Sequence, residues 1–126
     1  MDFNASLSAL GAFSTAQQVT AHNVANVNTE GFKSSRTNME ELPDQSGVRV
    51  QEIRKDTSPG PPVQSMRPEQ TRTGQMERVQ TTVQASNTDV AREMVSMTTN
   101  QRAFEANAAT VRTQDRMLGY VINEMV

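Results

Sequence analysis

Apolar residues in the last third of the chain recur at alternating steps of four and three. Positions 90, 94, 97, 101, 104, 108, 111, 115, 118, 122 and 125 read Val90, Met94, Met97, Gln101, Phe104, Ala108, Val111, Asp115, Leu118, Ile122 and Met125. Nine of these eleven are apolar, and the spacing is the a/d seam of a coiled coil, so one long helix is predicted. "SNTD" supplies its start, with Ser86, Asn87 or Thr88 as N-cap and Asp89 in the first turn. A helix of roughly 37 residues is about 55 Å long at ~1.5 Å per residue. That is more than a compact domain of this size wraps around itself. Part of the seam is therefore expected to face another molecule.

The opening of the chain repeats the pattern more weakly. Phe3, Leu7, Leu10, Ser14, Gln17, Ala21 and Val24 follow the same alternation, with Ser14 and Gln17 as lapses. From Phe3 to Thr29 there is no Asp, Glu, Lys or Arg, and the other faces carry Ser, Thr, Gln, Asn and Ala. A solvated helix normally shows Lys and Glu there. Uncharged polar groups are cheap to desolvate once partnered, whereas an unpaired buried charge costs several kcal/mol. The segment suits burial on more than one side; an ordinary amphipathic helix or a disordered terminus are the bland alternatives.

Proline separates the two helical flanks. Pro43, Pro59, Pro61, Pro62 and Pro68 all lie between residues 43 and 68, where they exclude helix interior. The chain is thus read as residues 1–33, an N-terminal helix and Asn-rich turn; 34–85, a short irregular middle with a little β; and 86–126, the C-terminal helix. "GVRV" and "QEIRK" hint at a strand, "SPGPP" is a turn or extended connector, and "QMERVQTTVQA" suits helix or strand. The expected fold class is mainly α: two long terminal helices packing as a coiled-coil-like pair.

Composition qualifies this picture. Leu, Ile, Val and Phe make 23 of 126 residues, with no Trp and one Tyr. Such a thin core with a net charge of only −2 fits a marginal monomer that becomes ordered among partners. Twelve basic against fourteen acidic residues leave no electrostatic footprint for nucleic acid. No apolar run is long enough to span a bilayer, so membrane insertion is not expected. The start lacks the basic n-region and continuous apolar stretch of a cleaved signal peptide.

No catalytic constellation is visible. The chain has one histidine, His22, and no cysteine, which leaves no metal set, thiolate or disulfide framework. Its six glycines are scattered and form no phosphate-cradling loop. Glu40 beside Glu41 reads as a solvated charge pair rather than an acid–base dyad. The eight methionines read as adaptable packing residues. Neither enzyme activity nor any cofactor or metal is expected.

The two ends together carry a resemblance. "AHNVANVNTEGFK" at 21–33 resembles the N-terminal signature of bacterial flagellar axial proteins, the rod and hook family. "SNTDVAREMVSMTTNQRAFEANAATVRTQDRML" at 86–118 is similar to that family's C-terminal signature. Ser86-Asn87, Glu93-Met94-Val95, Met97, Gln101 to Asn107, Asp115 and Met117-Leu118 fall in register with it. The overall length resembles a short proximal-rod subunit, while the C-terminal motif is closer to the distal-rod pattern. The resemblance implies a structural subunit of the basal-body rod, self-assembling through its terminal helices into an axial tube. Its partners would be further copies, other rod and hook proteins and the flagellar type III export apparatus. It would be placed in the periplasm and exported without a cleaved signal. The residues expected to carry assembly are Leu7, Leu10, Val24, Asn26, Asn28, Gly31 and Phe32 at one end. At the other they are Val90, Met94, Met97, Phe104, Asn107, Val111, Leu118 and Ile122. Asn26 and Asn28 would bond the turn backbone, and Gly31 would take a positive φ. A cytoplasmic coiled-coil adaptor or export chaperone, binding another protein's amphipathic helix along the same seam, is the competing reading.

Overall fold

The computed structural model describes residues 3–126. Helix α1 spans Phe3–Ala25 and helix α2 spans Val90–Glu124. Between them run two antiparallel hairpins. Strand β1 (Ser35–Glu41) pairs with β2 (Val48–Lys55), and β3 (Pro62–Gln70) pairs with β4 (Met76–Gln84). This corrects the expectation of a mainly-α helix pair with a short irregular middle: the order is helix, two hairpins, helix. The turn chemistry explains why. The first hairpin reverses through a 3-10 turn at Pro43–Gln45, where Asp44 and Gln45 have φ of 61° and 55° and Gly47 has φ of 138°. The second reverses at Gly74, with φ of 83° and Thr71 N–H donating to the Gln75 carbonyl. Left-handed positions at these spacings join adjacent strands. Pro62 and Pro68 exclude a helix here, and the β-branched run around Thr81, Thr82 and Val83 favours an extended chain.

The cap of α2 also differs from expectation. Asp89 is the N-cap, and its carboxylate accepts from the Arg92 N–H at 3.3 Å. Ser86 instead receives the Thr88 N–H at 3.1 Å in the approach to the helix. With 35 residues, α2 is about 52 Å long at ~1.5 Å per residue.

The core is thin, and it is built on α1. Among the described residues the buried apolar side chains are Ala9, Ala12 and Ala16. Ser6, Thr20 and Asn23 continue the same buried stripe. Their steps of three and four place them on one helical face, against α2 and the first hairpin. Among the described residues the second hairpin has no extensive packing on either helix and forms an arm. At nine residues per strand it is about 30 Å long.

The arm is fixed at its base by close backbone contact. A Cβ on the buried Gly60 would sit 1.9 Å from the carbonyl oxygen of Ala85. Because the obstacle is backbone, Gly60→Ala is expected to cost about 1–3 kcal/mol. The check is a lowered urea midpoint; an unchanged one would show that the base is not packed this closely.

Candidate functional site

The polar turn after α1 is a junction where both helices and both hairpins are stitched together. Asn23, only 1% exposed, faces the outer edge of β1. Its amide nitrogen donates to the Ser35 carbonyl at 2.7 Å, and its amide oxygen accepts from the Ser35 N–H at 2.8 Å. The carboxamide thus acts as a neighbouring strand would, satisfying both groups of an edge residue.

Asn87 makes the corresponding join from the α2 side. Asp56 N–H donates to the Ser34 carbonyl at 2.8 Å, and a regular ladder would return a bond from Ser34 N–H to the Asp56 carbonyl. Asn87 is inserted there instead. Its amide oxygen accepts from Ser34 N–H at 2.7 Å, and its amide nitrogen donates to the carbonyls of Asp56 at 2.8 Å and Ser58 at 3.0 Å. Lys33 adds its ammonium to the Ser58 carbonyl at 2.8 Å, and Gly31 N–H donates to the Gln84 carbonyl at 2.8 Å. Bonds from the Ser58 side chain and Ser58 N–H hold the Asp56 carboxyl below its ordinary range, which keeps this loop's carboxylate charged.

The expected turn residues fall around this junction. Asn26 donates its amide to the His22 carbonyl at 2.9 Å and accepts from the Thr29 hydroxyl at 3.1 Å. Gly31 has φ of 68°, a conformation glycine adopts without cost. Phe32 is half-buried and lies against His22, with ring centroids 5.4 Å apart. Asn28 is exposed, and no side-chain bond to it is present among the described residues. Sequence reasoning missed Asn23 and Asn87 as the latch. The available signal for Asn23 was its place seven residues after Ala16 on the alanine face.

The helices meet mainly through small and polar groups, and of the apolar seam only Met97, Ala108 and Val111 are half-buried. On α2 the buried or half-buried positions are Glu93, Ser96, Met97, Asn100, Ala103, Asn107, Ala108, Val111 and Gln114. That stripe is mostly offset by one residue, about 100° around the helix, from the seam read in the sequence. Met97 and Val111 lie at its border and are half-buried, as is Asn107, which donates to the Ala103 carbonyl at 2.8 Å. Val90, Met94, Phe104, Leu118 and Ile122 are exposed, as is Leu7, while Leu10 and Val24 are half-buried. An open groove lined by Phe13, Gln17, Ala21, Gln101 and Phe104 runs along the helix pair. Beyond Gln114 every residue of α2 is exposed, including Met117, Leu118, Tyr120, Val121 and Ile122.

Among the described residues no three His, Asp or Glu side chains come together in a way that would hold a metal ion. No helix there is long and apolar enough to cross a membrane.

Comparison with known proteins finds two family models, one at each end. "Flagella basal body rod protein" matches residues 3–33, and "Flagellar basal body rod FlgEFG protein C-terminal" matches residues 79–125. The flagellar hook proteins FlgE of Escherichia coli (strain K12), Salmonella typhimurium and Salmonella typhi are each 42% identical over 41 residues. That match covers 32% of this chain and only 10% of each hook protein. The matched ranges contain α1, the Asn-rich turn, both junction asparagines Asn23 and Asn87, and all of α2. The first hairpin and β3 lie outside them. The matched families are structural.

Proposed function

We propose that this chain, a member of the flagellar rod and hook family by both its ends, is a self-assembling subunit of the axial rod. The observation that carries this reading is the apolar face of α2 that the isolated chain does not cover. Leu118 is 51% and Ile122 63% exposed, and the helix continues past the last position sheltered by the rest of the fold. A large contiguous apolar surface on a soluble chain marks an interaction site. Its heptad spacing suits a second helix laid along it.

In this reading the polar and small stripe holds α1 to α2 within one subunit, and the larger apolar side chains are reserved for neighbours. Contacts of unlike surfaces, repeated from copy to copy without closing, generate a helical filament. The charge-free face of α1 then becomes an inner packing surface. Export through the flagellar type III apparatus and assembly in the periplasm belong to the same proposal.

Fractionation tests it in the bacterium that carries the chain. The expected result is recovery in purified basal bodies, with deletion of residues 1–30 abolishing both secretion and motility. Full motility in that deletion would end the proposal. A soluble cytosolic one-to-one complex would favour the adaptor instead.

A further inference from the structure

The arm formed by β3 and β4 has two edges of different character, and the difference follows from backbone register. Residue pairs in the arm run from Pro62 opposite Gln84 to Gln70 opposite Met76. Ala85 N–H donates to the Pro61 carbonyl at 2.9 Å, and Thr71 N–H donates to the Gln75 carbonyl at 2.8 Å. Hydrogen-bonded and non-hydrogen-bonded pairs alternate in an antiparallel ladder. Odd-numbered residues therefore bond across the arm, and even-numbered residues turn their N–H and C=O outward. The bond from Gly31 N–H to the Gln84 carbonyl agrees with this parity, since it reaches Gln84 from outside.

On β3 the outward residues are Pro62, Gln64, Met66, Pro68 and Gln70. Two of these five lack an N–H, which is how natural sheets close an edge to further strands. On β4 the outward residues are Met76, Arg78, Gln80, Thr82 and Gln84, with no proline among them. Gln84 is occupied by Gly31. The other four have no backbone partner among the described residues. One edge is blocked and the other is open from 76 to 82.

We infer that the open edge of β4 pairs antiparallel with β4 of a second copy, about a two-fold axis at Val79. The register follows from the open window. Centring on Val79 sets Met76 opposite the second Thr82 and Arg78 opposite the second Gln80, so all four outward residues of each strand are used. Centring one residue earlier sets Arg78 against Arg78, a like-charge pair that destabilises a sheet. Centring one residue later drives Met76 against the occupied Gln84. At Val79 the remaining cross-strand pairs are Val79 with Val79 and Glu77 with Thr81, and none carries like charges.

The product is a four-stranded sheet whose two outer strands are both proline-blocked, so pairing stops at two copies. It also relieves the arm's weakness, because a lone two-stranded hairpin is marginal in water. Such a contact is isologous and closed. It describes two unassembled copies and is separate from contacts between unlike surfaces along a filament. It does not rest on the helix-face reading above.

The chain has no cysteine, so a single introduced thiol reports only on contact between copies. Two residues facing each other at a non-hydrogen-bonded position have Cα atoms about 4.5 Å apart, within disulfide reach. Val79→Cys is expected to form a dimer under mild oxidation at least about tenfold faster than Val63→Cys, through raised local concentration. The two positions are equally accessible, at 37% and 39% exposed. Gln80→Pro removes one outward donor without touching the arm's own ladder. Added to Val79→Cys, it is expected to bring cross-linking down to the Val63→Cys rate with the far-ultraviolet circular dichroism unchanged. Adding Ile122→Lys to Val79→Cys is expected to leave the cross-link in place. Equal rates for Val79→Cys and Val63→Cys, or a cross-link that survives Gln80→Pro, would overturn the pairing.

Discussion

Asn23→Ala is expected to destabilise the isolated chain by about 2–4 kcal/mol, because it strands two backbone groups at once. Each buried group left without a partner costs about 1–3 kcal/mol. Ser35 loses both its acceptor and its donor when the carboxamide goes. At this chain length the change corresponds to a fall in Tm of roughly 8–16 °C. Asn28→Ala, five residues further on and solvent-exposed, is expected to stay within about 0.5 kcal/mol of the parent. Asn23→Asp separates the two halves of the contact. It keeps an acceptor for the Ser35 N–H but turns a carboxylate oxygen toward the Ser35 carbonyl, so its midpoint is expected near that of the alanine variant. Urea or thermal unfolding of the three variants gives the comparison. Equal stability of Asn23→Ala and Asn28→Ala would mean that the junction does not hold α1 to the first hairpin.

That pair of asparagines shows where the sequence could be read and where it could not. The run "HNVANVNTEGFK" identifies a polar turn after a helix, and Gly31 does take the positive φ expected of it. What distinguishes Asn23 from Asn28 is the surface each meets, which depends on β1 arriving beside α1. That arrival is set by tertiary contact and leaves no local mark.

Asn87 illustrates the same point at the other end. Its neighbour Asp89 caps the helix, and Asn87 itself bridges Ser34 to Asp56 and Ser58 across more than twenty-five residues. Local patterning, which offered Asn87 as one of three N-cap candidates, has no access to such a bond.

The long α2 was legible because eleven positions repeat one spacing, and a repeat of that length overrides individual lapses. The hairpins were legible only as the hint of a strand at "GVRV" and "QEIRK", where β2 lies, for two physical reasons. Both sides of the arm face solvent, so β3 and β4 have no buried face to impose a clear alternation. Their turn signals, Gly47 and Gly74, lie among polar residues that suit a loop equally well. The seam itself was legible as a pattern, but the sequence did not say what it faces. Alanine, serine and asparagine are prominent in the buried stripes of α1 and α2, beside Glu93 and Gln114, and small side chains let two backbones approach. Most of the larger apolar residues, which carry the stronger hydrophobic signal, remain outside, with Met97 and Val111 half-buried.

This division leads to the second large effect, Ile122→Lys. In the isolated chain Ile122 is 63% exposed and lies in the last turn of α2. A cation there complements the helix dipole by about 0.3–1 kcal/mol, so the variant is expected to be no less stable than the parent. Within a filament the same ammonium would sit against the apolar face of a neighbour. Leaving a buried charge without a partner costs about 3–5 kcal/mol, which lowers the association constant of each such contact roughly 150- to 4000-fold. The expected phenotype is loss of motility with the folded subunit still made and still exported. Arg92→Ala, at an exposed position near the start of α2, serves as the comparison and is expected to remain motile. Because the isolated chain is expected to tolerate the charge, a motility defect with unchanged unfolding of the purified subunit reports on assembly rather than on folding. Normal motility of Ile122→Lys, with the variant recovered in basal bodies at the parental level, would show that the exposed end of α2 is not the contact that builds the axis.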